Sequence, residues 1–263
     1  MNITLLNTRP KHQSDSLNKM LAEQGIASIS LPTLDIHLNL NAIIEAHFTN
    51  QMAAFDKVIF ISRNAVDGFI QQKQLSSVKH LFENAQFYAI GKATQQAGIE
   101  ANIELQTLSN SAFDSEHLLA HESMQNIEAE NILLVKGVGG RNLLAECLTE
   151  RGSNLTALEV YERVPAQFSA TQWHVFLDSE TPVLLITSLA SWSALTMHLK
   201  THYLVKTPDN DALFAMPFWA KVSTIVVMSK RIANEIVRQG WQGHLKIVET
   251  QSNQGIIDSL TNN

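Results

Sequence analysis

The sequence contains a single cysteine, and this scarcity of thiols limits the chemistry open to the protein. One cysteine excludes an internal disulfide and any Cys-x-x-Cys metal or redox motif, because each of these needs two. Cys147 lies on the helical stripe from Leu143 to Leu148, where a cysteine commonly acts as a small packing residue. We therefore predict neither a disulfide framework nor a thiol nucleophile.

Long apolar runs and positive charge are also scarce. No run of about 18 apolar residues occurs, so the sequence predicts no transmembrane helix. The chain runs from Met1 straight into a strand pattern without a basic segment or cleavage site, so we expect no signal peptide and a cytoplasmic location. The formal net charge of −6 argues against nucleic-acid binding, which is typical of basic domains. An anionic ligand would need a local positive potential.

Signatures of nucleotide binding and hydrolysis are missing. The glycines of 137–140 do not complete a dinucleotide-binding loop, because Asn142 stands where the third glycine is required. The chain also lacks the Gly-Lys-Ser/Thr of a P-loop and the Gly-x-Ser-x-Gly elbow of a hydrolase. We interpret the glycine-rich stretch as a tight turn that directs Arg141 and backbone N–H groups, including that of Gly137, toward a ligand.

Two pairs of histidines have the i, i+4 spacing that can chelate a metal from one face of a helix. The pairs are His117 with His121 and His198 with His202. Neither contains the internal glutamate of a His-Glu-x-x-His motif. We interpret them as surface or boundary residues and predict no metal site.

The stretch from Lys57 to Phe69 combines an apolar run, a serine and a helical pattern. The run of β-branched and aromatic residues is typical of a parallel strand that is covered on both faces. Ser62 follows the strand, and Asn64 lies in the first turn of the predicted helix. Hydroxyl and free N–H groups at a helix start can bind an anion. Both residues are equally compatible with simple capping of their own helix.

The same pattern returns about 125 residues later, in the stretch from Pro182 to Ser191. Here Thr187 and Ser188 stand at the turn that follows the apolar run. Repetition of one strand-turn-helix unit indicates two matched halves, each with its own hydroxyl-bearing turn.

Strand and helix patterns alternate along the whole chain, which predicts α/β layers with mostly parallel sheets. Corresponding units recur with a period of roughly 130 residues, which indicates two similar lobes. Ligands of open α/β sheets bind outside the carboxyl ends of the strands. The residues predicted at such ends are Arg9, Ser62, Thr94, Arg141, Thr187 and Ser229.

Two further residues are notable for their position. Gly91 follows a strand and permits a close backbone approach or an unusual φ. Tyr161 ends the strand pattern that runs from Leu155, near the predicted second crossing between lobes at Pro165. It is compatible with a functional phenol and equally with an amphipathic tyrosine that shields a domain junction.

Seven short motifs follow one another along nearly the whole chain. They are Thr8-Arg9-Pro10, Phe60-Ile61-Ser62-Arg63-Asn64-Ala65-Val66, Ala89-Ile90-Gly91-Lys92-Ala93-Thr94, Lys136-Gly137-Val138-Gly139-Gly140-Arg141, Leu158-Glu159-Val160-Tyr161-Glu162-Arg163, Ile186-Thr187-Ser188 and Met228-Ser229-Lys230-Arg231-Ile232-Ala233. In this order and spacing they resemble the motifs of the uroporphyrinogen-III synthase family, in which threonine is frequent at the position of Ile61.

The resemblance implies two flavodoxin-like α/β lobes with parallel sheets, joined by a two-stranded β-ladder, with one lobe inserted in the other. The first lobe would combine residues 1–34 with 165–263, and residues 39–154 would form the inserted lobe. Residues 35–38 and 155–164 would form the ladder.

The resemblance also implies an activity. The family cyclises hydroxymethylbilane, a linear tetrapyrrole that carries acetate and propionate groups, with loss of water and inversion of the D ring, to give uroporphyrinogen III in haem biosynthesis. It needs no metal, nucleotide or redox cofactor. We expect a monomer without nucleic-acid or membrane partners, and a transient contact with the upstream hydroxymethylbilane synthase.

Roles for individual residues follow from the resemblance as hypotheses. Tyr161 is the candidate general acid, because a phenol stays protonated at neutral pH and can assist departure of a hydroxyl group. Arg9 and Arg141 would add charge-assisted bonds to carboxylates, although either residue suits a structural ion pair equally well. The residues expected to position carboxylates with their hydroxyl, amide or backbone N–H groups are Ser62, Asn64, Gly91, Thr94, Gly137, Thr187, Ser188 and Ser229.

Two alternatives remain open at the level of sequence. A two-lobe module that binds or senses a tetrapyrrole or another anion would share these features without chemistry. A nucleotide-dependent oxidoreductase is the more distant alternative. Residues 207–217, with two prolines and mixed charge, fit a loop to which the sequence assigns no role.

Overall fold

The computed structural model describes residues 2–43, 45–46, 53–73, 75–107, 115–139, 142–203 and 213–261. The strands are β1 (Ile3–Asn7), β2 (Ala27–Ser30), β3 (Leu34–Leu38), β4 (Lys57–Phe60), β5 (Gln86–Ala89), β6 (Gln106–Thr107), β7 (Asn131–Gly137), β8 (Asn154–Pro165), β9 (Thr181–Ile186), β10 (Thr224–Val227) and β11 (His244–Ile247). The α-helices are α1 (Lys11–Glu23), α2 (Arg63–Ile70), α3 (Lys92–Glu100), α4 (Ser115–Ala120), α5 (Leu143–Glu150), α6 (Ala170–Leu177), α7 (Leu189–Tyr203), α8 (Lys230–Arg238) and α9 (Asn253–Thr261).

Two compact units make up the chain. The first unit combines Met1–Asp35 with Val164–Asn263, and the second is Ile36–Arg163. The chain passes from one unit to the other twice, once within β3 and once within β8. β8 continues to Pro165, four residues beyond the strand end predicted at Tyr161.

The first unit is built on a five-stranded sheet with the order β11-β10-β9-β1-β2. All four neighbouring pairs are parallel. Numbered along the chain within this unit, the order is 2-1-3-4-5, which is the order of flavodoxin. The prediction of α/β layers with parallel strands is therefore confirmed for this sheet.

Both faces of the first sheet are covered, as the apolar runs predict. Along β9, Leu184 and Ile186 pack into a cluster with the apolar residues of α6, α7 and α8. The alternate residues Val183 and Leu185 pack into a second cluster with α1 and α9. A strand buried on both faces needs apolar residues at successive positions, which explains its continuous apolar run.

The second unit contains a six-stranded sheet with the order β3-β8-β7-β4-β5-β6. The pairs β4–β5, β4–β7, β5–β6 and β7–β8 are parallel. Both edges of this sheet differ from the strand order of the first sheet. The two-residue strand β6 extends the sheet beyond β5, and the far edge beside β8 is occupied by β3, which comes before the other strands of this sheet in the chain. The β3–β8 ladder is therefore continuous with this sheet.

The core of the second unit repeats the two-layer arrangement. On β7, Leu133 and Val135 pack into a cluster with apolar residues of α2 and α3. The alternating Ile132 and Leu134 pack against α4 and α5. Cys147 is a half-buried residue of α5 that packs against this second cluster, as predicted for a packing residue.

Helix α1 ends at a glycine. Gly25 has φ = 70°, in the left-handed region. The N–H of Ile26 donates to the carbonyl of Leu21 at 2.9 Å, and that of Gly25 donates to Ala22 at 3.0 Å. This pair of bonds is the Schellman arrangement, and it requires a residue that adopts positive φ easily.

The structure describes only the second part of the predicted 207–217 loop. Residues 207–212 lie outside the described part of the chain. The residues that follow form two 3₁₀ turns, Leu213–Ala215 and Pro217–Lys221, which pack Trp219 into the core of the first unit. Among the described helices, none has both the length and the apolar character needed to span a bilayer.

Acid pH is expected to weaken the first unit through His198. His198 and His202 on α7 both stack on Phe168, with ring centroids 5.5 and 4.9 Å away. Burial lowers the pKa of His198 from 6.5, and nearby His202 lowers it further, while a hydrogen bond to the backbone of Ala166 raises it. The unfolded chain therefore binds more protons than the folded one, and stability decreases as the pH falls below about 6.5.

The unfolding temperature, followed by circular dichroism between about pH 7.5 and about pH 5.5, tests this expectation. His198→Phe keeps a ring on Phe168 but cannot titrate, so its unfolding temperature should fall less on acidification than that of the unaltered protein. The matched variant His80→Phe alters an exposed histidine and should retain the full pH dependence. Equal pH dependence in all three proteins would contradict the role given to His198.

Candidate functional site

The carboxyl edge of the second sheet gathers four of the predicted residues. Ser62, Gly91 and Gly137 end or follow β4, β5 and β7, and Tyr161 lies on β8. The strand order β8-β7-β4-β5 makes these four strands consecutive neighbours. Parallel pairing brings their carboxyl ends to the same edge, which is where ligands of open α/β sheets bind.

Ser62 caps helix α2. Its backbone is extended, with φ = −164° and ψ = 162°, and its Oγ accepts a hydrogen bond from the N–H of Ala65 at 3.1 Å. Such a cap satisfies one of the N–H groups in the first helical turn, which otherwise have no partner within the helix. Asn64, only 7% exposed, lies in the same turn. Capping is thus an observed role of Ser62, and it leaves the serine's own proton for a second bond.

Helix α3 begins in the same way but without a side-chain cap. Gly91 occupies the cap position with extended backbone, φ = −151° and ψ = 169°. The N–H of Thr94 donates to the Gly91 carbonyl at 3.0 Å, and the Thr94 side chain is buried. Because φ is in the extended range, Gly91 is not required here for a left-handed turn. Its lack of a side chain leaves the backbone N–H groups at the start of α3 accessible to a ligand.

Tyr161 is buried to 1% exposure and its hydroxyl group has two partners. The Ser62 Oγ lies 3.0 Å from the Tyr161 Oη. The guanidinium of Arg163 donates to the same Oη at 2.7 Å, and its carbon lies 5.1 Å from the centre of the phenol ring. The phenol is therefore held at both its oxygen and its ring.

Gly137 lies directly against the ring of Tyr161. A Cβ atom at position 137 would stand 2.5 Å from Cζ and 2.6 Å from Cε2 of Tyr161. The two residues are paired across β7 and β8 at a register shift that begins after Lys136. The N–H of Val138 donates to the Tyr161 carbonyl at 2.8 Å and closes this irregular pairing. Glycine is needed here because the ring occupies the space of a side chain.

The first unit gathers a second set at the ends of three neighbouring strands. Arg9 follows β1, Thr187 and Ser188 follow β9, and Ser229 follows β10. The Ser188 Oγ accepts from the N–H of Ser191 at 3.0 Å at the start of α7. Ser229 caps α8 with a longer bond of 3.4 Å from Ile232. Both serines are half-buried.

Arg9 has a neutral partner. Its Nη1 donates to the Oδ1 of Asn253 at 2.6 Å, which ties the end of β1 to the first residue of α9. Burial lowers the pKa of Arg9 from its ordinary value, yet an arginine keeps its charge at neutral pH. Among the described residues, this bond joins the guanidinium to a neutral amide, which does not compensate the positive charge. Arg141, the other predicted arginine, lies outside the described residues.

Sequence reasoning missed two features of these edges. Arg163 was overlooked, although its spacing of two residues from Tyr161 places both side chains on one face of β8. In the first unit, Ser191 joins two buried threonines: its Oγ is 3.1 Å from the Thr8 Oγ1 and 2.8 Å from the Thr33 Oγ1. This hydroxyl cluster fixes the ends of β1 and β2 against α7, and no spacing in the sequence indicates it.

The histidine pairs have local partners. His121 contacts the Ser123 Oγ through Nδ1 at 2.9 Å, and the other pair stacks on Phe168 as described above. Across the described ranges, no three histidine, cysteine or carboxylate side chains cluster closely enough to hold a metal ion.

Comparison with known proteins identifies the family of this chain. The sequence profile of the family described as Uroporphyrinogen-III synthase HemD matches residues 15–257. Uroporphyrinogen-III synthase of Salmonella typhimurium is 25% identical over 275 residues, covering 98% of this chain and 100% of the relative. The enzyme of Proteus mirabilis is 29% identical over 163 residues, covering 62% of this chain and 81% of the relative.

Solved structures show the same fold. A mutant uroporphyrinogen III synthase from Thermus thermophilus superposes with a TM-score of 0.61 at 14% identity, covering 99% of this chain and 100% of the other. Uroporphyrinogen-III synthetase from Helicobacter pylori gives 0.60 at 14% identity, with 98% and 97% coverage. Uroporphyrinogen-III synthase is a cyclising lyase of haem biosynthesis that acts on a tetrapyrrole, and the family match spans nearly the whole sequence. The chain belongs to the uroporphyrinogen-III synthase family.

Proposed function

We propose that the protein converts hydroxymethylbilane to uroporphyrinogen III, closing the ring with loss of water and inversion of the terminal D pyrrole. The observation that carries the proposal is the family match over residues 15–257. The contacts of Tyr161 support it, because a held phenol beside a serine hydroxyl can deliver the proton that turns a leaving hydroxyl group into water.

The proposed organisation keeps the domain bounds expected from the sequence. Residues 1–34 and 165–263 form one flavodoxin-like lobe, residues 39–154 form the inserted lobe, and residues 35–38 and 155–164 form the connecting ladder. The 2-1-3-4-5 order of the first sheet and the neighbouring positions of β3 and β8 support this division.

In this proposal the substrate's carboxylates are bound at helix starts along the carboxyl edges of the sheets. A carboxylate near a helix N-terminus gains about 0.3–1 kcal/mol, and up to about 2 kcal/mol when partly buried. The groups at these edges include extended cap residues, hydroxyls and Arg9, which fits an anionic ligand on a chain of net negative charge. The residues proposed for this role are Arg9, Ser62, Asn64, Gly91, Thr94, Gly137, Arg141, Thr187, Ser188 and Ser229.

Tyr161 is proposed as the general acid that assists loss of the hydroxyl group. Ring closure of hydroxymethylbilane also occurs without an enzyme and gives the uninverted type I isomer. The main role of the protein is therefore to hold the D ring so that the inverting attack is faster than simple closure. Because the free substrate closes by itself, we also propose a transient contact with hydroxymethylbilane synthase and a shared cytoplasmic location.

A coupled assay tests the function directly. Hydroxymethylbilane is generated in situ by its synthase, the protein is added, and the oxidised products are separated by chromatography into type I and type III isomers. We expect the type III isomer to predominate with the protein and the type I isomer to form in its absence. Type I alone, from protein with an intact circular dichroism spectrum, would refute the catalytic proposal and favour the non-catalytic binding module.

A further inference from the structure

We propose that Arg163, Tyr161 and Ser62 form a proton relay in the second unit, in which the proton of the buried phenol reaches the substrate through the Ser62 hydroxyl. This inference rests on the proposed function and deepens it. It adds Arg163 as a positioning residue and gives Ser62 a catalytic role beyond carboxylate binding.

The hydrogen bonds around Tyr161 assign a direction to its proton. Arg163 can only donate, so its bond of 2.7 Å occupies a lone pair of the Tyr161 Oη. The phenol proton is then free to point at the other partner, the Ser62 Oγ at 3.0 Å. Ser62 accepts a second bond from the N–H of Ala65, and its own proton remains for an acceptor outside this group.

Burial explains why a relay is needed. Tyr161 is 1% exposed, whereas Ser62 is half-buried at the carboxyl edge where the strand ends. A substrate at this edge can reach the serine oxygen without displacing the tyrosine ring. The two hydroxyl groups therefore have separate roles, because Tyr161 supplies the proton and Ser62 presents it to the substrate.

Protons and electrons balance over loss of the hydroxyl group and ring closure. The leaving hydroxyl oxygen takes the Ser62 proton while Ser62 takes the Tyr161 proton, and the C–O bond breaks with its electron pair leaving on the water formed. This leaves a phenolate beside the Arg163 guanidinium, with a carbocation on the substrate. The carbocation is consumed when its carbon bonds to the D ring. Inversion also requires the existing bridge bond of the D ring to break and re-form at the other α-carbon of that pyrrole, a rearrangement without net change in electrons or protons. The proton then lost from that α-carbon returns through Ser62 to the phenolate.

Arg163 acts through Tyr161. Its guanidinium bonds to the oxygen on which negative charge develops and lies 5.1 Å from the ring centre. A charged donor at this position stabilises the phenolate more than the phenol, since hydrogen bonds to charged groups are the stronger ones. Arginine also fixes the ring, which a flexible lysine would do less well.

Variants of Ser62 test the relay under single-turnover conditions. Ser62→Gly removes the hydroxyl but costs the helix cap only a few tenths of a kcal/mol. We expect it to lower the rate constant of the chemical step by about 10-fold or more, with KM changed by less than about threefold. Ser62→Thr retains a hydroxyl and should keep most of the rate of the unaltered protein.

The same rate constant, measured in mixtures of H₂O and D₂O, tests how many protons move. Its plot against the deuterium fraction should be curved for the unaltered protein, as expected for two moving protons, and linear for Ser62→Gly.

Variants of Arg163 test the positioning role. Arg163→Met should slow the same step by about 10-fold, because the phenolate loses its charged donor. The rate of Arg163→Lys should lie between that of Arg163→Met and that of the unaltered protein. The matched controls are Ser169→Gly, which removes the cap of α6, and Arg238→Met, which removes an exposed arginine bonded to Glu235. Both controls should leave rate and isomer ratio unchanged.

The outcomes distinguish the relay from the underlying function. Unaltered protein that yields only the type I isomer refutes the proposed function before any variant is made. Unaltered protein that yields the type III isomer, with Ser62→Gly raising KM alone, overturns the relay and leaves Ser62 as a binding residue. A linear deuterium dependence in the unaltered protein overturns it as well.

Discussion

Tyr161→Phe is expected to lower kcat by about 10²- to 10⁴-fold while leaving measurable formation of the type III isomer. The substitution removes only the hydroxyl group, so the ring still packs against Gly137 and the fold is retained. Loss of the bonds to Ser62 and Arg163 should cost about 1 kcal/mol of stability or somewhat more. Turnover in the coupled assay and thermal unfolding followed by circular dichroism check the two parts separately.

Tyr88→Phe is the matched control for this prediction. Tyr88 is also buried in the second sheet, at 2% exposure, and its hydroxyl donates to the Gln86 Oε1 at 2.7 Å. Its loss should lower stability by a similar amount and leave turnover unchanged. Unchanged turnover in Tyr161→Phe would remove this tyrosine from the mechanism, whereas complete loss with an intact fold would show that it does more than assist.

Gly137→Ala is expected to reduce turnover by about 100-fold without removing any polar group of the site. The new methyl group would stand 2.5 Å from Cζ of Tyr161, so the phenol ring or the strand must shift. Either shift separates the Tyr161 hydroxyl from Ser62, and overpacking of this kind costs about 1–3 kcal/mol of stability. Kinetics at saturating substrate, together with the unfolding midpoint in urea, measure both effects.

Gly98→Ala separates overpacking from displacement of the phenol. A Cβ atom at Gly98 would lie 2.5 Å from the Leu105 side chain and 2.9 Å from the Ile103 carbonyl, away from Tyr161. It should lower the urea midpoint comparably and leave kcat per folded molecule unchanged. If both glycine variants lost equal activity, general destabilisation would explain the loss and the contact with Tyr161 would not.

Local sequence patterns predicted those parts of the protein that depend on neighbouring residues in the chain. The apolar run of β9 predicted a strand covered on both faces because such a strand has no solvent-exposed position. Gly25 marks the end of α1 in the sequence, because the left-handed conformation at this position favours glycine. The sequence allows Ser62 to cap its own helix, because a serine hydroxyl accepts from a first-turn N–H group, and Ser229 caps its helix in the same way.

Contacts between distant segments were beyond these patterns. The sequence indicates that Gly137 gives access to the backbone. The structure adds that no side chain fits at this position, because the ring of Tyr161 on the adjacent strand occupies the space. The bond of Thr33 to Ser191 joins residues 158 positions apart. The positions of β3 and β6 at the edges of the second sheet also depend on pairing rather than on their own residues.

The sequence by itself determined the α/β class, most strand and helix positions, the helix caps and, through seven ordered motifs, the family. Each of these depends on local conformational preference, on periodic burial or on a short motif, all of which are written along the chain. Tertiary structure alone decided that Tyr161 is buried between Gly137, Ser62 and Arg163. Its hydrogen-bond geometry arises only when β4, β7 and β8 pair in parallel and bring residues nearly 100 positions apart to within 3.0 Å.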